Sequence, residues 1–515
     1  MIHWNKPVVD RDQAVLFAPT LDGSLHDDHA VRFVAEILQS MDFSAWECQY
    51  DGFVGQPPIH PRILAGGLLY GLSLGIRSSR RLEDACINRL DFIWLMEGRV
   101  PDHSTFCKFR TSHQEQLKDL FKQVVLAGRQ MGLVSLNQII WDGTRVKANN
   151  SRYNTARQAN LEELVREVGE QFDTMMREAK AADEGEDRLF GEEGMAKPLP
   201  PKLARKQKRL EEMKKALAEL KRMQAEQQKS RDEKGPQVPL ADSDSRVLPN
   251  KEGGYAPNYT PVVAVDAESR MVVDGDIVAG RCEDEAIVPS LQRVEQTLGQ
   301  VPAQGLADSG FHTGRNLEAL EQKGVEPLIP ERVNFVDNPA QRADPTQPVA
   351  AEQWPKLPVN PVSKVLDKAA FVHDEAKDCY YCPMGQALAF VKTKEYQQGK
   401  HYRQYRVYQC QNCPGCAHRS KCIKGRAQQR QIYRERYDAV RQRVAERLRS
   451  PEGRRAYGRR WQVEGPFGII KAVMGVRQFL LRGMQKVKQE WTWVLSAYNL
   501  RLLVAARRQI AQIAR

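Results

Sequence analysis

The chain has 515 residues, a formal net charge of +12 and 41% hydrophobic residues. A chain of this length exceeds what one compact core usually holds, so we expect roughly two to four domains. The excess of Lys and Arg, concentrated between Arg419 and Arg460, favours a polyanionic partner. No apolar signal region follows the N-terminus, and the most hydrophobic late stretch, residues 491–506, is interrupted by polar residues and too short to span a bilayer. These features argue against a membrane protein and predict a cytoplasmic one.

Residues 1–130 are predicted to form a helical N-terminal domain. Apolar residues recur at helical spacing in residues 31–38 and 63–74, and Ser79 and Asp102 precede further helical patterns. Basic residues cluster near the predicted helix starts, which is compatible with a helix-turn-helix-like DNA reader. The candidate phosphate contacts are Arg77, Arg80, Arg81, Lys108 and Arg110. A helical bundle that supports the core or makes a dimer remains the alternative.

A short apolar stretch, Val134 to Trp141, predicts a strand that delivers Asp142 at its end. The strand would fix this carboxylate, and the following Gly143 would allow backbone and ligand to approach closely. A carboxylate in this position is a candidate metal ligand. Taken alone, however, Asp142-Gly-Thr also fits an ordinary turn.

Residues 155–238 are predicted to form an inserted helical hairpin or coiled-coil-like arm. Apolar residues recur at three- and four-residue steps from Leu161 to Met175 and again from Leu210 to Leu220, in segments dominated by Ala, Glu, Lys, Arg and Gln. We interpret this apolar seam as a structural or assembly surface rather than a catalytic one.

A strand hairpin is predicted for residues 259–278, followed by an amphipathic helix from Glu285 to Leu298. A short strand then delivers a second aspartate, Asp308. Other acidic residues compete for a site role, namely Asp266, Asp274, Asp276, Glu283 and Asp284. The first three belong to the hairpin, where exposed acids are common, and the last two precede a helix, where acids stabilise its N-terminus.

Six of the ten cysteines lie between Cys379 and Cys422. Two CxxC pairs separated by a strand-rich spacer are typical of a zinc ribbon, so we expect a structural Zn²⁺. The favoured ligands are Cys379, Cys382, Cys413 and Cys416, with Cys410 and Cys422 as substitutes. A redox role is disfavoured because no βαβ pattern surrounds either pair.

The segment Tyr457 to Lys471 combines cations, a phenol and a carboxylate. On an α-helix at 100° per residue, the side chains of Tyr457, Arg460, Glu464 and Lys471 fall on one narrow face. A carboxylate there can hold a divalent metal while the cations grip phosphate oxygens. A solvated face with charge pairs is the alternative, and Pro466 predicts a kink that leaves Lys471 the least secure member.

The pattern Y-x2-R-x3-E-x6-K, together with Asp142-Gly-Thr and Asp308-Ser-Gly-Phe, resembles bacterial insertion-sequence transposases of the DDE type. The resemblance implies an α/β fold with a ribonuclease-H-like catalytic core, a mixed sheet with flanking helices, whose first and fourth strands lie side by side. It also implies that Asp142, Asp308 and Glu464 hold two Mg²⁺ or Mn²⁺ ions. Tyr457, Arg460 and Lys471 would contact DNA phosphates.

The implied domain organisation is discontinuous. The core would comprise residues 131–154, 239–330 and 450–515, after the N-terminal domain of residues 1–130. It would be interrupted by the helical insertion at 155–238 and by a Cys-rich, zinc-ribbon-like insertion with a basic helix at 331–449.

The implied function is that of a metal-dependent polynucleotidyl transferase. Such an enzyme would bind the terminal inverted repeats of its element as a homodimer or higher oligomer, cleave there and join the ends to target DNA. It would act on double-stranded DNA in the bacterial cytoplasm, associated with the nucleoid. The alternatives are a catalytically inactive, transposase-derived DNA-binding protein and a general metal nuclease without strand transfer.

Overall fold

The computed structural model describes residues 20–52, 57–190, 201–227, 235–250, 253–278, 280, 283–331, 338–398 and 401–513. Residues 1–19 of the predicted N-terminal domain lie outside this range, as do residues 191–200 and 228–234 of the predicted helical insertion. The chain forms two compact units: Met1–Gly305 with Arg459–Arg515, and Leu306–Gly458. Both units combine helices and sheets, so the fold is of the mixed α/β class.

The first unit begins with α-helices. Their bounds are α1 Ala30–Gln39, α2 Ser44–Glu47, α3 Pro61–Ser73, α4 Ser79–Asn88, α5 Leu90–Leu95, α6 His103–Ser112 and α7 Gln114–Gln130. Helix α3 has proline in its first turn and is buried along nearly its whole length, which fits its almost uniformly apolar sequence. Helix α6 starts after Asp102, whose carboxylate accepts the N–H of Thr105 at 2.7 Å.

An antiparallel sheet follows. Its strands are β1 Gln138–Gly143, β2 Val146–Lys147, β5 Arg246–Pro249, β6 Tyr255–Asp266 and β7 Val272–Val278, and a separate small ladder pairs β3 Thr155–Ala156 with β4 Val238–Pro239. Strand β6 is central and pairs with β1, β2, β5 and β7. Next to β1, the N–H of Gln304 donates to the carbonyl of Asn137 at 3.0 Å. Gln304 is the first residue of β8, Gln304–Leu306.

Three acids that were expected to be exposed in the hairpin have structural partners instead. Asp266 is fully buried, and its carboxylate accepts the N–H groups of Ser135 and Glu268, each at 3.0 Å. Asp274 is buried and forms a two-point ion pair with Arg293 at 2.8 Å, while Asp276 pairs with Lys488 at 2.7 Å. Hydrogen bonds and opposite charge sustain the burial of Asp266 and Asp274, while Asp276 is partly exposed.

The predicted hairpin insertion contains α8 Gln158–Phe190 and α9 Pro201–Gln227. The two helices pack through the apolar residues that the sequence pattern singled out. Leu161 and Val168 of α8 share a buried cluster with α9 residues, which include Leu210, Met213 and Leu220. Because each helix carries its apolar residues at three- and four-residue steps, the two stripes meet along one seam.

Two further helices complete the packing of the first unit. Helix α10, Ile287–Leu298, contacts β7, and the long α16, Met484–Ile513, contacts β7 together with α1, α3, α6 and α7. The side-chain amide of Asn499 accepts the N–H of Val272 at 3.0 Å and donates to its carbonyl at 2.7 Å. Trp493 donates to the carbonyl of Arg110 at 3.2 Å. Helix α16 is therefore the element that joins the sheet to the N-terminal helices.

The second unit holds a five-stranded antiparallel sheet. Its strands, in both sequence and sheet order, are β10 Val372–Asp374, β11 Cys379–Tyr381, β12 Ala387–Gln398, β13 His401–Cys410 and β14 Gln431–Glu435. The other elements are α11 Gly314–Gln322, β9 Glu326–Leu328, α12 Arg419–Cys422, α13 Asp438–Arg449 and α14 Pro451–Tyr457. Trp354, Tyr380, Leu388 and Tyr408 form part of the buried core on this sheet.

The prediction of one α-helix from Tyr457 to Lys471 was wrong. Helix α14 ends at Tyr457, a 3₁₀ segment covers Gly458–Val463, α15 covers Glu464–Gly468, and a π-helical turn covers Ile469–Val473. Pro466 has no N–H to donate one turn back, and three nearby glycines lower the helix propensity further. Angular positions calculated at 100° per residue therefore do not apply across this segment.

None of the helices in the described ranges is both long and apolar enough to cross a membrane.

Candidate active site

Asp142 lies within β1, opposite Val263 of β6, so the sheet fixes its backbone. Its carboxylate is 15% exposed and one oxygen lies 3.3 Å from a guanidinium nitrogen of Arg460. The other oxygen accepts the N–H of Gly143 at 2.8 Å. The fold of the first unit thus brings together two residues that are 318 positions apart and that sequence analysis selected independently.

A second cation of the same segment reaches the same end of β1. The ammonium of Lys471 donates to the hydroxyl of Thr144, and Thr144 is anchored by its N–H to the carbonyl of Pro261 at 2.9 Å. Thr144 is buried. Arg460 and Lys471 therefore both contact the Asp142–Thr144 segment, although the helix that was predicted to align them is broken.

Glu283 lies against the Asp142–Gly143 end of β1, although the sequence analysis interpreted it as helix-start charge. A Cβ added to Gly143 would lie 2.1 Å from a carboxylate oxygen of Glu283, so this carboxylate packs directly on the glycine. Glu283 also pairs with Arg145 at 2.8 Å. The only sequence signal was Gly143 itself, whose missing side chain admits a close neighbour.

Glu464 is the first residue of α15 and is exposed. Among the described residues, its carboxylate has no hydrogen bond or ion pair. The next residue, Gly465, lies beside Arg270, whose guanidinium donates to Gln462 at 2.6 Å and sits 5.6 Å from the ring of Trp461. Glu464 therefore presents an accessible carboxylate within a segment held by neighbouring contacts.

Asp308 and Tyr457 belong to the second unit. Asp308 precedes a short 3₁₀ helix, Ser309–Phe311, and its carboxylate accepts the N–H of Gly310 at 2.9 Å. Tyr457 is the last residue of α14. Across the described ranges, no three His, Cys, Asp or Glu side chains have the spacing of a metal site.

The predicted DNA contacts of the N-terminal helices divide into two groups. Arg77 donates to the carbonyls of Gly475 and Gln478 and pairs with the carboxylate of Glu490 at 3.0 Å. Arg110 is only 9% exposed and donates to the carbonyl of Arg77 at 3.3 Å. Both guanidinium groups thus make contacts within the first unit, and their role as phosphate contacts stays a prediction. The side chains that face solvent are those of Arg80, Arg81 and Lys108.

Much of the positive charge on α13 is used inside the second unit. Arg443 and Arg447 both pair with Glu321 of α11, at 2.5 and 2.9 Å. Burial would raise the pKa of Glu321, but the hydrogen bonds and charges of these arginines lower it below its usual value. The basic run in the sequence is therefore partly a helix-to-helix ion-pair network rather than a uniformly free surface.

Five of the six clustered cysteines line one small cavity in the second unit, of about 30 Å³. They are Cys382, Cys410, Cys413, Cys416 and Cys422. Burial raises the pKa of the Cys410 and Cys422 thiols to about 12 and also raises that of Cys382. Cys379, a predicted zinc ligand, lies instead in β11 opposite Asp374 and Ala389.

Two regions of the chain match known protein families. Residues 381–504 match the family described as Transposase DDE domain, and residues 19–112 match the family described as Transposase domain (DUF772). The first region contains Arg460, Glu464 and Lys471, and the second contains the exposed N-terminal cations. Asp142 and Asp308 lie outside both matched regions. No curated protein matches the chain.

Proposed function

The two family matches indicate an insertion-sequence transposase of the DDE type, and from this premise we propose that the protein cleaves DNA strands at the ends of its element and transfers them to target DNA. One observation carries the proposal. Arg460 contacts Asp142 while Lys471 contacts Thr144, so a cationic segment meets the carboxylate at the end of the interior strand β1. This combination suits a phosphodiester substrate.

We assign the sheet of the first unit, with the helices α10 and α16 that pack on it, to a ribonuclease-H-like core. The hairpin order β7-β6-β1, with Gln304 of β8 hydrogen-bonded beside β1, supports this assignment. So does α16, a long helix packed against β7. Such a sheet positions carboxylates more precisely than loops do, because both neighbouring strands restrain the backbone.

The metal ligands in this proposal are Asp142, Asp308 and Glu464, and the role of Asp308 rests on its sequence context. The donor set fits magnesium or manganese, because hard divalent ions prefer carboxylate oxygens. When bound, two such ions would supply charge neutralisation and an activated water or hydroxyl. Asp142 is partly accessible, and its charge is balanced by Arg460 in the structure described here.

Arg460 and Lys471 would bind the phosphates that flank the cleaved bond. Both cations contact the end of β1, Arg460 at Asp142 and Lys471 at Thr144. In this proposal each exchanges a protein contact for a phosphate oxygen when DNA binds. The hydroxyl of Tyr457 would donate a further hydrogen bond to the DNA backbone near the cleaved bond. The exposed side chains of Arg80, Arg81 and Lys108 would bind DNA phosphates away from the cleaved bond. The protein would act as a homodimer or higher oligomer that holds two element ends.

The test is excision in cells of a marker flanked by the DNA that borders this gene. Wild type should excise, and Asp142→Asn, Asp308→Asn and Glu464→Gln should each fail while still accumulating and binding the ends. Glu36→Gln, which changes an exposed carboxylate on α1, is the matched control and should excise normally. Excision by any of the three variants at the wild-type level would remove that residue from the proposed triad, and end binding without excision by wild type would indicate a binder.

A further inference from the structure

The cavity in the second unit is lined mainly by sulfur. Five thiols share its wall with apolar side chains that include Trp354, Phe371 and Met384. Its volume of about 30 Å³ is comparable to the space of one water molecule. A space of that size suits a single ion and excludes an organic ligand or an iron–sulfur cluster.

The backbone around the thiols forms tight turns. After Cys382, the N–H of Gly385 donates to the carbonyl of Cys382 at 2.8 Å, and Gly385 adopts a positive φ of 74°. A second turn is closed by the N–H of Cys416, which donates to the carbonyl of Cys413 at 3.2 Å. The N–H of Arg430 points at the sulfur of Cys413 from 3.4 Å. An N–H donor at sulfur favours the thiolate form that metals bind.

Arg430 is a cation in contact with this cavity. Its guanidinium donates to the carbonyls of Cys422 and Leu366, at 2.9 and 2.8 Å, and its Nε has no hydrogen-bond partner among the described residues. Among the described residues, no carboxylate forms an ion pair with Arg430, although Asp367 is near enough to interact with it electrostatically. Nearby negative charge stabilises a largely buried cation, and thiolates in the cavity would add to the charge of Asp367.

We propose that this cavity is a structural zinc site held by Cys382 and Cys413 together with two of Cys410, Cys416 and Cys422, and that Cys379 is not a ligand. An all-thiolate donor set with tetrahedral geometry suits Zn²⁺. The thiols surround the cavity without converging at ligand spacing in the described structure, so binding draws their side chains inward. The ligands connect the turn after β11 with the segment between β13 and β14.

Metal analysis of the purified full-length protein tests this assignment. Wild type should contain about one zinc ion per chain, as expected for a single four-thiolate site. Cys382→Ser and Cys413→Ser should lose it, whereas the matched variant Cys379→Ser should retain it. Absence of zinc from wild type, iron in its place, or equal loss from Cys379→Ser would overturn the proposal.

A second measurement uses the wild-type chain alone, in case the serine variants fail to fold. Native protein is treated with a thiol-alkylating reagent, with and without a zinc chelator, and the labelled cysteines are located by mass spectrometry. Exposed Cys48 should react in both samples and serves as the internal control. Cys382 and Cys413 should react only after chelation. Equal labelling of these two thiols in both samples would contradict metal protection.

Discussion

At the scale of single residues, Gly143 is the position where the proposed site has the least space. An alanine there would place its Cβ 2.1 Å from the Glu283 carboxylate, a separation that real side chains do not adopt. We expect Gly143→Ala to displace Glu283 from Arg145 and to lower excision at least tenfold, equivalent to about 1.4 kcal/mol. Gly169→Ala is the control, because the structure shows no atom within 4 Å of the added Cβ.

The cause of that loss can be tested by a double variant. If the clash with Glu283 is responsible, Gly143→Ala should cost little more in a Glu283→Ala background than Glu283→Ala costs alone. Additive losses would mean that Gly143 matters for another reason, such as its strand position opposite Val262.

The two groups of N-terminal arginines should separate by phenotype. Arg77→Ala removes hydrogen bonds to two carbonyls and a buried pair with Glu490, so we expect about 1–3 kcal/mol of lost stability, measured by denaturant unfolding. Arg80→Ala should leave stability unchanged and weaken end binding in a salt-dependent manner. Normal stability of Arg77→Ala with lost DNA binding would reverse these roles. The sequence offers equal charge at both positions and does not indicate which side chain turns inward.

At the scale of elements, Asn499 connects α16 to the edge of β7. Its amide satisfies both backbone groups of Val272 and is completely buried. Asn499→Leu should therefore leave an N–H and a carbonyl without partners and cost about 2–5 kcal/mol in unfolding free energy, since each orphaned group costs about 1–3 kcal/mol. Gln509→Leu, on an exposed position of the same helix, should change stability by less than about 0.5 kcal/mol.

Elements built by interactions between residues close in sequence were easier to predict than those that depend on residues far apart in sequence. The apolar residues of α8 and α9 that the spacing selected share one buried cluster, because this spacing is local and both helices follow it. The structure of the segment after Tyr457 was predicted wrongly. Pro466 and the neighbouring glycines disfavour a regular α-helix, and the segment contains 3₁₀ and π-helical turns instead. The pairing of Arg443 with Glu321 was also missed, since the partners are 122 positions apart and no spacing rule relates them.

The candidate site was predictable to a similar degree. Asp142, Arg460 and Lys471 were selected by motif, and the fold of the first unit brings Arg460 to Asp142 and Lys471 to Thr144. The position of Glu283 beside Gly143 was missed, because an acidic residue before a helix is commonly explained by stabilisation of the helix N-terminus. The five thiols of the cavity could be listed from their spacing, but the exclusion of Cys379 depends on the strand it occupies.

At the scale of the whole molecule, acidification should weaken both units. Burial lowers the pKa of His113 in the first unit and of His312 and His373 in the second. The unfolded chain, with histidine pKa values near about 6.5, then binds protons more readily than the folded one. Stability should therefore be complete above that pH and decline as the pH falls below it towards the folded pKa values.

Thermal unfolding at about pH 7.5 and about pH 5.5 checks this expectation. These two values lie on either side of the histidine pKa in the unfolded chain. In the first unit, His113 stacks on Trp46 with ring centroids 5.0 Å apart. His113→Phe keeps an aromatic ring and removes the titrating group, so its melting temperature should fall less between the two pH values than that of wild type. An equal fall would show that His113 does not contribute.

Helix α16 also sets when the protein can complete its folding. It is synthesised after the rest of the first unit, yet its Trp493 donates to the carbonyl of Arg110, 383 residues earlier, and its Asn499 donates to the carbonyl of Val272, 227 residues earlier. A growing chain on the ribosome therefore carries an unfinished first unit until α16 emerges. Products truncated before α16 would lack the helix that joins the sheet to the N-terminal helices, and we expect them not to fold the first unit.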